Sequence, residues 1–192
     1  MKILALLPTY NERENIEPIL RQLFDLPLPL DVLVIDDLSP DGTGEIVEKL
    51  KGEFSGRLEI MHRQGPRGRG RAGIAAFKYA AEHPEYDWVV EMDADGSHQP
   101  RFIPGMLSAG DNADVVLGSR YVPGGGVEGW GAYRHLNSRV AGWISRILLG
   151  FWSIKDPTSG FRLFRREVVQ ALPWDTMVSD NPSIVEEILY HC

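Results

Sequence analysis

Short runs rich in Val, Ile and Leu recur along the chain at Ile3 to Leu7, Val32 to Ile35, Leu58 to Met61, Trp88 to Met92 and Val115 to Leu117, with helix-length patterns between them. Runs this short and this apolar read as buried strands, and their alternation with helices predicts a mostly parallel central sheet with helices on both faces. Asn11 with Glu14 three residues on resembles a capping box opening a helix through about Phe24. Ser39-Pro40 similarly suggests an N-cap and first helical residue for a helix through about Leu50. Further helices are expected near Ala72 to Glu82, Pro100 to Ala109, Arg134 to Leu149 and Ser183 to Tyr190. Pro123-Gly124-Gly125-Gly126 begins a long loop running to Tyr133, and Lys155 to Gly160 is another. Long loops in an α/β domain are where ligands are usually handled.

A chain of 192 residues suffices for one well-buried core and is short for two, so a single domain spanning 1-192 is expected. Its formal net charge of -7 disfavours a surface that coats nucleic acid, so any anion must be gripped by local arginine clusters. The single cysteine, Cys192, precludes an intrachain disulfide and fits a reducing compartment. The opening MKILALLP is stopped by Pro8 and the polar run from Asn11 to Glu14, so it reads as a first strand and not a signal peptide. The longest apolar stretch, from about Val140 to Trp152, is broken by Ser145 and Arg146 and falls short of the ~18 residues of a spanning helix.

Two strand ends finish in acids: Asp36-Asp37 after Val34-Ile35, and Glu91-Met92-Asp93-Ala94-Asp95. Ligands of open α/β sheets bind at the carboxyl ends of strands, so these acids face a crevice. Asp93 and Asp95 flank one residue, which lets both carboxylates approach a single hard cation. Mg2+ or Mn2+ carrying a diphosphate fits, because such ions keep few protein ligands and take the rest from phosphate and water. An isolated D-x-D is more often a pair of capping aspartates. Gly68-Arg69-Gly70-Arg71-Ala72-Gly73 fits G-x-G-x-x-G between a strand and a helix, which leaves an NAD-dependent oxidoreductase as a rival reading. Against that reading, the unit begins at the third strand, and the acids on the other strands stay unexplained. With Arg63, Arg67, Arg69 and Arg71 the turn suits a phosphate-facing loop in either class. Arg120 and Arg134, beside the two long loops, are candidates to fork a second phosphate.

Pro8-Thr9-Tyr10-Asn11-Glu12, Asp36 to Thr43, Asp93 to Pro100, Gly118-Ser119-Arg120-Tyr121 and Thr158-Ser159-Gly160-Phe161-Arg162 follow one another in order. Together they resemble the polyprenol (dolichol) phosphate mannose synthases, within family 2 of the inverting glycosyltransferases and the GT-A fold. The resemblance runs from Lys2 to about Tyr190. It implies that Pro8, Tyr10, Glu12, Ile35 and Asp37 line the nucleoside pocket, and that Asp93, Ala94 and Asp95 meet the diphosphate and its Mg2+ or Mn2+. It implies also that Arg120 and Arg134 bind the phosphate of a polyprenyl phosphate acceptor. Ser97 stands where some relatives place a glutamine as a further metal ligand, and Gly142 where many have asparagine. Gly129-Trp130 followed by Arg134, Ser138 and Arg139 matches the acceptor region, so this stretch is expected to face a membrane surface.

The implied reaction is single displacement of mannose from GDP-mannose, giving a β-linked lipid phosphosugar. Metal-assisted departure of the nucleotide and two arginines aligning the acceptor would drive it, with no strong general base. The expected location is peripheral, on the cytoplasmic face of a membrane. UDP-glucose or another hexose donor, the oxidoreductase, and a catalytically dead nucleotide-sugar-binding module are the alternatives. The chain stops at Cys192, before the family's next strand and a basic segment over the diphosphate, so weakened donor binding is expected of residues 1-192 alone.

Overall fold

The computed structural model describes residues 1–54, 56–126 and 132–192, with the side chains of 132–137 and 139 outside the description. Strands β1 (Ile3–Thr9), β2 (Leu30–Asp36), β3 (Leu58–His62), β4 (Trp88–Glu91), β5 (Val115–Leu117) and β6 (Arg162–Arg165) form one sheet in the order β3-β2-β1-β4-β6-β5. β1 pairs in parallel with β2 and β4, and β2 with β3. β6 runs antiparallel to β4 and β5. The helices are α1 (Ile16–Phe24), α2 (Thr43–Lys51), α3 (Arg69–Glu82), α4 (Ile103–Ala109), α5 (Ala132–Leu149), α6 (Arg166–Ala171) and α7 (Ile184–His191).

The period-2 alternation of a strand deals its side chains to two cores. Ile3, Ala5 and Leu7 of β1 join Ile16, Leu20 and Val47 from α1 and α2 on one face. Leu4 and Leu6 join Phe77 from α3, Val169 from α6 and Ile188 from α7 on the other. Phe77 stacks on Trp174 with ring centroids 4.8 Å apart and meets Phe164 edge-on at 5.3 Å. Each fully buried Leu, Ile or Phe stabilises the fold by roughly 1.5–3 kcal/mol relative to exposure, so two continuous cores are what hold the sheet in place to present its carboxyl edge. The expected architecture is therefore present, with the sheet sandwiched between helical layers.

Several boundaries differ from the sequence reading for local reasons. Asn11 does not cap α1: it sits at φ 60 in a tight turn. The helical hydrogen bonds start instead from the Glu12 carbonyl, to which the Ile16 amide donates at 2.8 Å. Ser39 does not cap α2 either, because its hydroxyl donates to Asp36 Oδ1 at 2.5 Å. Gly42 is the N-cap, and Asp41 just before it accepts from the Thr43 amide at 3.0 Å. α3 begins at Arg69 and not near Ala72, and α6 was not anticipated.

The strand missed altogether is β6. Arg162 in its first position argues for surface, yet it is 0% exposed. Its Nε donates to the Ser159 carbonyl at 2.6 Å and Nη2 to that of Pro157 at 2.8 Å, while Nη1 reaches the Val185 carbonyl. Burial pulls its pKa below the ordinary arginine value, with Glu91 and Glu186 opposing.

Candidate active site

The parallel strands β1, β2 and β4 all end on one edge, and antiparallel β6 begins there, with Glu91 of β4 opposite Arg162 in register. Loops leaving that edge therefore converge, which is where a crevice forms in an open α/β sheet.

The fold separates the two acids that end β2. Asp36 is absorbed by its own turn, accepting from the Ser39 amide at 3.1 Å and the Ser39 hydroxyl. Asp37 is buried as well but reaches the next loop, taking Arg63 Nε on Oδ1 at 2.5 Å and the Gly68 amide on Oδ2 at 3.1 Å. Leu38, between Ser39 and Asp37, sits at φ 54, and Asn11 across from it donates its amide to Ser39 Oγ at 3.0 Å. Two non-glycine residues held in the left-handed region at adjacent loop tips cost of order 1–3 kcal/mol each, strain that usually persists at functional sites. Tyr10 is partly exposed beside them and accepts from Arg67 Nη1 at 2.5 Å. Glu12 is half-buried and its Oε2 accepts from Asn15. Pro8, Ile35 and Ala94 are buried, Ile35 within the core beneath α3, so at those expected pocket positions the side chains face inward.

At the end of β4, Arg69 lies between two carboxylates. Its Nη1 donates to Glu91 Oε1 at 2.8 Å and its Nε to Asp93 Oδ1 at 3.1 Å. Burial opposes its charge, but Glu91 and Asp93 outweigh that and raise its pKa above the ordinary value. The amide of Asp93 donates to His98 Nδ1 at 2.9 Å, and the ring stacks on Phe161 at 5.2 Å. Burial lowers the His98 pKa, in keeping with a neutral ring whose Nδ1 is an acceptor. Asp95 is exposed and accepts the Ser97 amide on Oδ1 at 2.9 Å.

Arg120 forks onto Asp156 through Nε at 2.8 Å and Nη2 at 2.6 Å, and Nη2 also reaches Thr158 Oγ1 at 2.6 Å. Burial raises the Asp156 pKa, but the bonds from Arg120 dominate and hold it below the usual carboxylate range. A cleft of about 280 Å³ runs between these groups, lined by Arg69, Asp93, Thr158, Gly160, Ser183 and Glu186 among others. Gly160 lies against the same groups: a Cβ there would make ordinary contact with Arg69 Nη2 at 3.4 Å and Asp93 Oδ2 at 3.5 Å. Burial raises the pKa of Glu186 in that wall. Arg134 falls in the first turns of α5, but its side chain lies outside the described residues, as do those of Tyr133 and Arg139; Gly129-Trp130 lies outside them entirely. Ser138 accepts or donates a 2.9 Å bond with Tyr121 OH, which ties α5 to the Arg120 loop.

The glycine-rich turn serves a different purpose from the dinucleotide reading. A Cβ on Gly68 would stand 2.6 Å from the Asp180 carbonyl oxygen, and one on Gly70 would stand 2.7 Å from the Asp180 carbonyl carbon. The Gly70 amide donates to that same carbonyl at 3.1 Å. The glycines admit a neighbouring backbone, and Arg71 closes the contact with a 2.8 Å bond to Asp180. Arg63, Arg67, Arg69 and Arg71, read from sequence as phosphate-facing, thus each hold a protein partner here.

Glu91 was named only as the first acid of the β4 end, and Asp156 and Glu186 were given no role from sequence. Only Glu91 leaves a trace there, as an acid within an apolar strand run.

Among the described residues no cluster of three or more His, Cys, Asp or Glu gathers to enclose a metal. Two hard carboxylates, Asp93 and Asp95, are the donors on offer, with exposed Ser97 beside them. That set fits a magnesium or manganese ion that completes its shell with diphosphate oxygens and water, and does not fit a closed structural zinc site.

Residues 5–172 match the family described as glycosyl transferase family 2. The undecaprenyl-phosphate mannosyltransferase of Micrococcus luteus is 41% identical over 179 residues, covering 93% of this chain and 72% of that protein. The polyprenol monophosphomannose synthase of Mycolicibacterium smegmatis is 42% identical over 172 residues, covering 89% of this chain and 64% of that one. Among solved structures, glucosyl-3-phosphoglycerate synthase from Mycobacterium tuberculosis superposes with a TM-score of 0.68 at 23% identity, over 98% of this chain and 64% of that one. A mannosyltransferase from Pyrobaculum calidifontis, in complex with GDP-Man and Mn2+, has a TM-score of 0.60 at 19% identity, over 97% of this chain and 51% of that one.

Proposed function

The chain belongs to glycosyl transferase family 2, and from that premise we propose that it transfers mannose from GDP-mannose to a polyprenyl phosphate, with inversion, as a single catalytic domain. The identity to two polyprenyl phosphate mannosyltransferases supports mannose as the sugar and polyprenyl phosphate as the acceptor. The observation that carries the reading is geometric: Asp93 and Thr158 line one cleft, and Thr158 accepts from the Arg120 fork. One acid suited to a metal diphosphate, Asp93, therefore lines the same cleft as Thr158, the residue through which Arg120, suited to a second phosphate, borders it.

In the proposed reaction an acceptor phosphate oxygen attacks the anomeric carbon from behind, a new carbon–oxygen bond forms, and the bond to the donor diphosphate breaks with its electron pair leaving on the nucleotide. The acceptor oxygen is already anionic near neutral pH, so no general base is needed. A bound Mg2+ or Mn2+ on Asp93 and Asp95 supplies charge stabilisation for the leaving diphosphate. Arg120, released in part from Asp156, and Arg134 orient the acceptor, and alignment behind the anomeric carbon is itself a large share of the barrier. Pro8, Tyr10, Glu12, Ile35 and Asp37 form the nucleoside side, Ile35 through its backbone.

A lipid acceptor requires a membrane surface, and α5 suits one. Trp143 is 60% exposed and Leu148 75%, with Val140, Ile144 and Ile147 exposed on the same helical stripe and Trp152 just beyond. Singly exposed apolar residues are ordinary, but a contiguous patch of this kind marks an interaction surface. No described helix is long and apolar enough to cross a membrane. The proposed attachment is peripheral, on the cytoplasmic leaflet where nucleotide sugars are available.

The test is a transfer assay with radiolabelled GDP-mannose, Mn2+ and a polyprenyl phosphate in vesicles, with UDP-glucose run in parallel. Label should enter the organic phase from GDP-mannose, and NMR of the product should show the β anomer. Label from UDP-glucose alone would reassign the donor, and label from neither would overturn the transferase reading for these residues.

A further inference from the structure

The site carries a cation of its own where a divalent ion is expected to work. Arg69 is the first residue of α3, in a turn pinned to the 179–180 backbone by the bond from the Gly70 amide to the Asp180 carbonyl at 3.1 Å. Its side chain therefore leaves from a fixed point. Glu91, which takes Nη1, is fully buried, and its Oε2 has no hydrogen-bond partner among the described residues. Arg69 cannot swing away without leaving that carboxylate buried and uncompensated, a costly state. Its other edge covers one oxygen of Asp93, with Nε and Nη2 both 3.1 Å from Oδ1. Glu91, Asp93 and Asp95 bring three negative charges to this end of β4, and Arg69 cancels one of them at the point where a metal would bind. Arg162 faces Glu91 across the sheet and offsets part of the Glu91 charge from there, but its donors go to the carbonyls of Pro157, Ser159 and Val185, so Arg69 is the cation that contacts Asp93. His98 approaches Asp93 through an acceptor nitrogen and adds no charge while its ring is neutral.

We propose that Arg69 is a resident counter-cation that makes the Asp93 and Asp95 pair a poor site for a bare divalent ion, so that metal enters together with the nucleotide diphosphate. The proposal rests on the reading of Asp93 and Asp95 as metal acids. A diphosphate restores the negative charge that Arg69 removes, and the guanidinium, which also lines the cleft, is placed to meet a phosphate oxygen. A unit charge ~5 Å from a divalent ion alters its affinity by about tenfold even at the dielectric constant of water.

The experiment is calorimetric titration of Mn2+ into nucleotide-free protein, for the parent, Arg69→Met, Glu91→Gln and the double variant, with circular dichroism confirming the fold of each. Arg69→Met should bind Mn2+ about tenfold more tightly, Glu91→Gln about tenfold more weakly, and the double variant close to the parent. With saturating GDP the gap between the parent and Arg69→Met should narrow to about threefold or less. A purely structural role for Arg69 predicts the reverse sign, since a loosened site binds metal more weakly. If Arg69→Met does not fold, Glu91→Gln and the double variant still decide the matter, because their affinities must differ by about tenfold. Equal or weaker binding by Arg69→Met, equal affinities of Glu91→Gln and the double variant, or no Mn2+ binding by any protein would overturn the proposal. Lack of sugar transfer alongside the expected affinities would overturn the transferase reading alone.

Discussion

Replacing Gly70 by alanine separates the two explanations of the glycine-rich turn. The added Cβ would stand 2.7 Å from the Asp180 carbonyl carbon and 3.0 Å from its oxygen, and nearer still to the Ser179 carbonyl oxygen. These are backbone atoms, so relief requires the 179–180 segment to move off α3. Overpacking of this kind costs about 1–3 kcal/mol. The bond from the Gly70 amide to the Asp180 carbonyl would be strained or lost, adding roughly 1 kcal/mol. The expected loss is therefore about 2–4 kcal/mol, enough at a urea m-value of about 2 kcal/mol/M to lower the unfolding midpoint by about 1–2 M. Gly105, exposed within α4 where an added Cβ would meet nothing within 4 Å, is the control. Alanine there should stabilise by about 0.5–1 kcal/mol through helix propensity alone. Urea unfolding followed by circular dichroism measures both. A Gly70→Ala midpoint equal to or above that of the parent would refute the packing account and reopen a ligand-binding role for the turn.

Asp156→Asn should cost about 1.5–3 kcal/mol at pH 7 by weakening a charge-assisted fork. Because the native Asp156 pKa is depressed, the unfolded chain binds the proton more readily, so its contribution is complete above the ordinary value of about 3.9 and is lost as pH falls through the native one. Urea midpoints at pH 6 and pH 3 should therefore converge between the parent and Asp156→Asn as acid is added, and a constant gap would contradict the linkage. Asp95→Ala should leave stability within about 0.5 kcal/mol, since the residue is exposed, while removing Mn2+-dependent heat of GDP binding in calorimetry. Unchanged metal-dependent binding would take Asp95 out of the metal site. Substituting both Trp143 and Leu148 with serine should reduce sedimentation with anionic vesicles at least tenfold without changing the unfolding midpoint, because the outward-facing side chains carry the proposed membrane contact. Vesicle binding at the parental level would place that contact elsewhere.

Much of the parallel half of the sheet was legible in the chain itself. Runs such as Ile3 to Leu7 are short and wholly apolar, which announces a buried strand without help from distant residues, and β5 appears with the bounds expected of it. The acids at strand ends were legible for the same reason: a strand assignment dictates which end of the sheet Asp37, Asp93 and Asp95 occupy. Helix starts were less so: the Ser39 hydroxyl could cap a helix or bond its own turn and took Asp36, while Asn11 was drawn into a left-handed turn in which its backbone amide donates to Ser39.

What the local pattern could not decide was every pairing made across the chain. Arg162 reads as a surface residue until the carbonyls of Pro157, Ser159 and Val185 surround it, and β6 exists only because that cage and the pairing with β4 form together. Arg69 and Asp93 are 24 positions apart, Arg120 and Asp156 36, and the Gly70 turn meets a backbone more than a hundred residues on. Which arginine faces a ligand and which faces a carboxylate of its own protein is set by those meetings. A charged side chain has no preference of its own between the two partners, and only packing determines which one stands within hydrogen-bond reach.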